Sequence, residues 1–77
     1  MKQYKFKVEL GRMLNGEYVT VDTKEVWEFD DDCASTNVWY DALNAFKDVL
    51  QEGDFIKYFV DRTYTVRYNG DGTGTDM

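Results

Sequence analysis

From Lys2 to Leu10 the chain alternates without a break, with Tyr4, Phe6, Val8 and Leu10 on one side and Gln3, Lys5, Lys7 and Glu9 on the other. A period of two with one apolar side predicts a strand that turns one face to a core. A second run, Tyr18 to Phe29, carries Val19, Val21, Trp27 and Phe29 on its odd side, interrupted by Thr23 and Glu25. Asn15-Gly16 between the runs predicts a two-residue hairpin turn, because both central residues of a type I′ turn take positive φ. That turn pairs Leu14 with Glu17. Carried along the arm, it sets Leu10 opposite Val21, Val8 opposite Thr23 and Tyr4 opposite Trp27, so the apolar sides coincide. Gly11 is the place for a bulge where the arm bends.

The period then changes. Trp39, Ala42, Leu43, Phe46, Val49 and Leu50 recur at helical spacing and form one apolar stripe. Ser35 or Thr36 is the expected N-cap, Asp30-Asp31-Asp32 complement the positive end of the helix dipole, and Gly53 is placed to end the helix. From Phe55 to Tyr68 the chain is β-branched and aromatic again, with Ile56, Tyr58, Val60, Tyr64, Val66 and Tyr68 on the even side. Fourteen residues of strand would span ~46 Å, far longer than a 17-residue helix at ~25 Å, so Asp61-Arg62 is read as a bend or turn. The expected fold is α+β. Its order is β-β-α-β, an antiparallel sheet of three strands (four if the last run divides) with one helix on one face and the first strand central. Residues 1–68 form the single domain, and 69–77, Gly-rich with little to bury, a flexible tail.

The composition narrows the function. The single cysteine, Cys33, excludes an internal disulfide and reads as a buried structural thiol in a reducing setting. The basic N-terminus is followed by no apolar run, and nothing approaches ~20 consecutive apolar residues, so a cytoplasmic protein without membrane contact is expected. Histidine is absent, which removes the usual neutral-pH base and the commonest metal ligand, so a non-enzymatic role without metal or cofactor is expected. Asn69-x-Asp71-x-Thr73-Gly74 imitates the start of an EF-hand loop but lacks the acid at its twelfth position.

Charge supplies the functional hypothesis. Between Glu25 and Asp54 nine acids face one base, Lys47, a net of −8, while the rest of the chain is +2 and the whole is −6. On a helical wheel Asp41, Asn44, Asp48 and Glu52 fall opposite Trp39, Phe46 and Leu50. With Asp30, Asp31, Asp32 and Asp54 at the helix ends they form a candidate acidic surface for a basic partner, or a solvated helix back that keeps a small domain in solution. The open face of the sheet is expected to show Lys5, Lys7, Lys24, Lys57 and Arg67 near Tyr18, Phe55 and Phe59. That is the pattern of a single-strand nucleic-acid surface, set against Glu9, Asp22 and Glu28 on the same face. The net charge disfavours direct nucleic-acid binding. A homodimer covering Phe55 and Phe59 is compatible with the same pattern.

In size, charge and style, with the Asn15-Gly16 hairpin, the Glu28-Phe29-Asp30-Asp31-Asp32 link and one acidic, aromatic-rich helix, the chain resembles the small acidic anti-CRISPR proteins of phages. The resemblance implies an inhibitor that covers the DNA-binding surface of a CRISPR effector by imitating phosphates. The alternative is a small nucleic-acid-binding or accessory domain that uses the open sheet. Gly16→Val tests the hairpin: a β-branched residue at positive φ should cost about 1 kcal/mol or more, read as a lower melting temperature.

Overall fold

The computed structural model describes residues 2–77. Its elements are β1 (Gln3–Leu14), β2 (Glu17–Phe29), α1 (Ala34–Ala45), β3 (Phe55–Phe59), β4 (Thr63–Tyr68) and β5 (Gly74–Asp76). All neighbouring strands are antiparallel, in the order β2-β1-β3-β4-β5, and α1 covers one face. The class is α+β and β1 is flanked by β2 and β3, but the order β-β-α-β with three strands is not the one formed: the last run divides into β3 and β4, the four-strand alternative, and β5 is a fifth strand beyond the expectation.

The last apolar run divides at Val60-Asp61-Arg62, where the Val60 N–H donates to the Arg62 carbonyl (3.1 Å) and the Tyr64 hydroxyl donates to Asp61 (2.9 Å). Folding back sets Val66 opposite Ile56 and stacks Tyr64 on Tyr58 at 5.1 Å. The expected flexible tail is the second correction. Asn69–Thr73 closes as a loop, with Asp71 accepting from the Thr73 N–H (3.0 Å) and the Asn69 N–H donating to the Thr73 carbonyl (2.9 Å). β5 then adds to the sheet edge. Its anchor is the absence of a side chain: a Cβ on Gly74 would collide with the Val66 side chain and lie 2.7 Å from the Trp39 ring.

The hairpin takes the expected turn, with φ of 54° at Asn15 and 81° at Gly16. Pairing follows the expected register from Leu14–Glu17 to Gly11–Thr20, then shifts by one: Leu10 pairs with Asp22, and Val21 is the extra residue. The bulge lies opposite the Leu10–Gly11 step, but the added residue belongs to β2 and not to Gly11. Beyond it every β2 residue changes side relative to the uninterrupted register. β1, at ~3.3 Å per residue, spans ~40 Å, most of the 44 Å long axis of the molecule.

The core is Val8, Leu10, Ile56, Tyr58 and Val66 of the sheet against Val38, Trp39, Ala42 and Phe46. The helix is shorter than its stripe. Phe46, the C-cap residue, is fully buried, whereas Val49, beyond the helix end, is 45% exposed. The N-cap is Cys33, exposed and without a side-chain cap bond, not Ser35 or Thr36. Asp31 performs the capping instead, its carboxylate accepting from the Cys33 N–H (2.9 Å) and its carbonyl from the Ala34 N–H (3.0 Å).

Gly74→Val should detach β5 without unfolding the rest, because the added methyls displace Val66 or Trp39. The Met77 amide, bonded to the Thr65 carbonyl at 2.8 Å, would then exchange at nearly the unfolded rate while the β1 amides stay protected.

Candidate functional site

The eight residues proposed from the sequence as an acidic surface divide into three groups. Asp30, Asp31 and Asp32 are exposed in the link between β2 and α1. The β3–β4 turn brings Asp61, which sequence reasoning left out, to the same place, and these four acids with Ser35 and Val60 line one depression of about 290 Å³. Asn44, Asp48 and Glu52 are also exposed, at and beyond the other end of α1. The five ion pairs among the described residues, Lys5–Glu25, Lys7–Glu9, Arg12–Asp54, Lys24–Asp22 and Arg62–Asp76, leave Asp30, Asp31, Asp32 and Asp61 without a basic partner.

Asp54 and Asp41 do not belong to that surface. Asp54 is 2% exposed and accepts two bonds from Arg12 (Nε and Nη2, both 2.8 Å) and one from the Gln51 N–H (2.9 Å). Arg12 Nη2 also donates to the Val49 carbonyl at 2.8 Å, so the pair ties β1 to the connection between α1 and β3. Bidentate geometry and satisfied lone pairs are what a buried carboxylate requires. Asp41 is half-buried, because the bulge turns Glu28 to the helix side, where it meets Asp41. The Asp41 Oδ2 atom is buried without a hydrogen-bond partner. Loss of water first, and the neighbouring Glu28 second, push its pKa up to about 6. The acids therefore form two exposed groups, not one continuous stripe along the helix.

The bulge also exchanges residues between the two sheet faces. Lys24, expected on the open side, lies on the helix side: its ammonium donates to the Ala45 carbonyl (2.8 Å), a favourable charge at the helix C-terminus, and sits 5.8 Å from the centre of the Phe46 ring. Asp22 and Glu28 move with it. Trp27, expected in the core, goes the other way and is 56% exposed opposite Lys5, whose Nζ lies 5.4 Å from its ring centre. Tyr18 lies across Gly11, where an added Cβ would meet its hydroxyl, and packs on Phe55 at 6.0 Å, with Lys57 Nζ 5.4 Å from its ring. A glycine roofed by a diagonal cross-strand aromatic is the physical reason for Gly11.

A second depression, about 260 Å³ between the start of α1 and the β4–β5 edge, is walled by Trp39, Tyr58, Tyr64 and Val66 with Ser35, Thr36 and Asp76 at its rim. Among the described residues no three His, Cys, Asp or Glu side chains converge as a metal site, and no helix is long and apolar enough to cross a membrane. Fold and surfaces together define a two-layer α+β domain with one bare sheet face and acids gathered at the helix side. No protein-family model matches the chain, and neither the curated protein sequences nor the solved structures searched contain a match.

The buried carboxyl gives a pH test. The folded value for Asp41, about 6, lies above its ordinary 3.8, so the folded protein holds this proton more tightly. Its contribution to stability is complete below about pH 4 and is lost as the pH rises through 6. Asp41→Asn should therefore stabilise the protein at pH 7 by about 1–2 kcal/mol and flatten the stability change between pH 4 and 7, measured by urea unfolding. An unchanged pH profile would remove Asp41 as the group whose titration changes stability in this range.

Proposed function

We propose that the protein is a non-enzymatic binding domain that presents the acidic depression at the start of α1 to a basic protein partner. One observation carries the reading: Asp30, Asp31, Asp32 and Asp61 surround one depression, and none of them belongs to an ion pair among the described residues, Arg62 beside Asp61 being paired with Asp76. Carboxylates gathered at one rim attract lysine and arginine over the range of a Debye length, about 10 Å at 0.1 M salt, and act mainly on the association rate. Basic protein surfaces commonly serve nucleic acid. Occupying one with carboxylates in place of phosphates makes an inhibitor, the role that the likeness to anti-CRISPR proteins implies. Asp48 and Glu52 extend the negative field around the other end of the helix, whereas Asp41 and Asp54 have no part in it.

Affinity capture from a lysate of the source cells tests this, with the parent chain and an Asp30→Lys/Asp32→Lys variant that keeps the Asp31 cap. The parent should retain a basic protein that excess duplex DNA releases, and the variant should retain at least tenfold less at ~0.1 M salt. Equal capture by both proteins would rule the acidic depression out as the docking surface.

A further inference from the structure

We infer that the bare sheet face is a stacking platform for single-stranded nucleic acid, a second binding surface independent of the acidic depression. Paired residues of an antiparallel ladder share a face, so the register places Lys5, Lys7, Lys57 and Arg67 on the side away from α1, together with Trp27, Tyr18, Phe55 and Phe59, and with Phe29 level with Gln3 at its end. The acids there are Glu9 and Glu25, so the face is net +2 within a molecule of −6. The remaining surface therefore carries −8, and a polyanion can approach from this side alone.

The rings are ordered. Trp27 is level with Lys5 of β1, Phe59 follows beside Lys7, Phe55 is level with Gly11 and Tyr18 with the next step at Met13. Steps of two residues along a strand are ~7 Å, comparable to one nucleotide of an extended single strand. Between Phe59 and Lys57, a depression of about 180 Å³ is lined by Lys7, Glu9 and Thr63. Lys5 and Lys7 lean toward Glu25 (4.0 Å) and Glu9 (3.6 Å), while Lys57 and Arg67 take part in none of the ion pairs among the described residues.

Three occupants compete for such a face, and charge and ring exposure choose between them. A second copy of the chain would stack one net-positive face on another. A duplex hides the faces of its bases and leaves Trp27 (56% exposed) and Phe59 (61%) nothing to stack on. An unpaired strand supplies both phosphates for the four bases and π-faces for the rings.

The test is fluorescence anisotropy of a labelled twelve-nucleotide oligo-dT titrated with the intact protein at 20 mM and 150 mM salt, with intrinsic fluorescence followed in parallel. Trp27 is exposed and Trp39 is in the core, so stacking should quench Trp27 emission, and the quench should vanish in Trp27→Phe. Trp27→Ala should weaken binding about tenfold and Lys57→Glu/Arg67→Glu more than tenfold, with melting temperatures unchanged. With two to four phosphates neutralised, the slope of log affinity against log salt should lie between about −1.4 and −2.8. Asp30→Lys/Asp32→Lys, which disables the acidic depression, should leave oligonucleotide binding intact or strengthen it. That separates the failure of either surface from the failure of the other. Several outcomes would overturn the inference: no anisotropy change at 20 mM salt, equal binding by the Trp27 and Lys57/Arg67 variants, equal affinity for duplex, or a sizing-column dimer that buries Trp27.

Discussion

One extra residue in β2, Val21 opposite the Leu10–Gly11 step, decides what each face of this molecule is made of. A strand has period two, so a single insertion inverts the facing of everything beyond it. Without the insertion Trp27 would lie under the helix, and Lys24 and Glu28 would lie on the open sheet. With it, Lys24 reaches the Ala45 carbonyl at the end of α1, Glu28 meets Asp41, and Trp27 stands beside Lys5 on the bare face. The helix-side register then pairs Phe6 with Val26 at the edge of the core and sets Tyr4 opposite Glu28 instead of Trp27.

Arg12 and Asp54 hold the other side of the same arrangement. The guanidinium joins the turn end of the long hairpin to the connection that follows the helix, and the Asp54 backbone continues the link to Tyr68, whose N–H donates to its carbonyl at 2.7 Å. A small domain buries a limited core, so connections of this kind matter for holding one packing among several. A buried charge pair is a weak contributor to stability compared with an apolar pair of the same volume, and a strong determinant of where its partners must sit. Here it sets the distance between β1 and the chain that leaves α1.

The division of charge follows from the two layers. The charged residues on the helix side of the sheet and on the links to the helix are mostly acids, and the face that carries no helix keeps four bases and five rings, those of Tyr18, Trp27, Phe29, Phe55 and Phe59. The result is a molecule with two surfaces of opposite sign, each suited to a different partner chemistry and each open to independent substitution.

Local chemistry made much of this legible in the sequence. The Asn15-Gly16 turn, the alternation of β1, the helical stripe around Trp39, Ala42 and Phe46 and the break at Asp61-Arg62 all depend on neighbours within a few residues, and all are present in the fold. Four features needed the tertiary structure. The bulge at Val21 carries no marker of its own, since β-branched residues suit regular strands equally well. Asp54 looks like any surface acid until Arg12, forty-two positions away, is placed against it. The glycines of the C-terminal segment suggest a loose tail, and only the ring of Trp39 against Gly74 shows that a missing side chain can be a packing surface. Asp61 joined Asp30, Asp31 and Asp32 only when β3 and β4 folded back on each other. Periodicity and turn chemistry are properties of short segments and survive in the sequence, whereas register, burial of charge and the grouping of distant acids are set by contacts between segments that only the folded chain brings together.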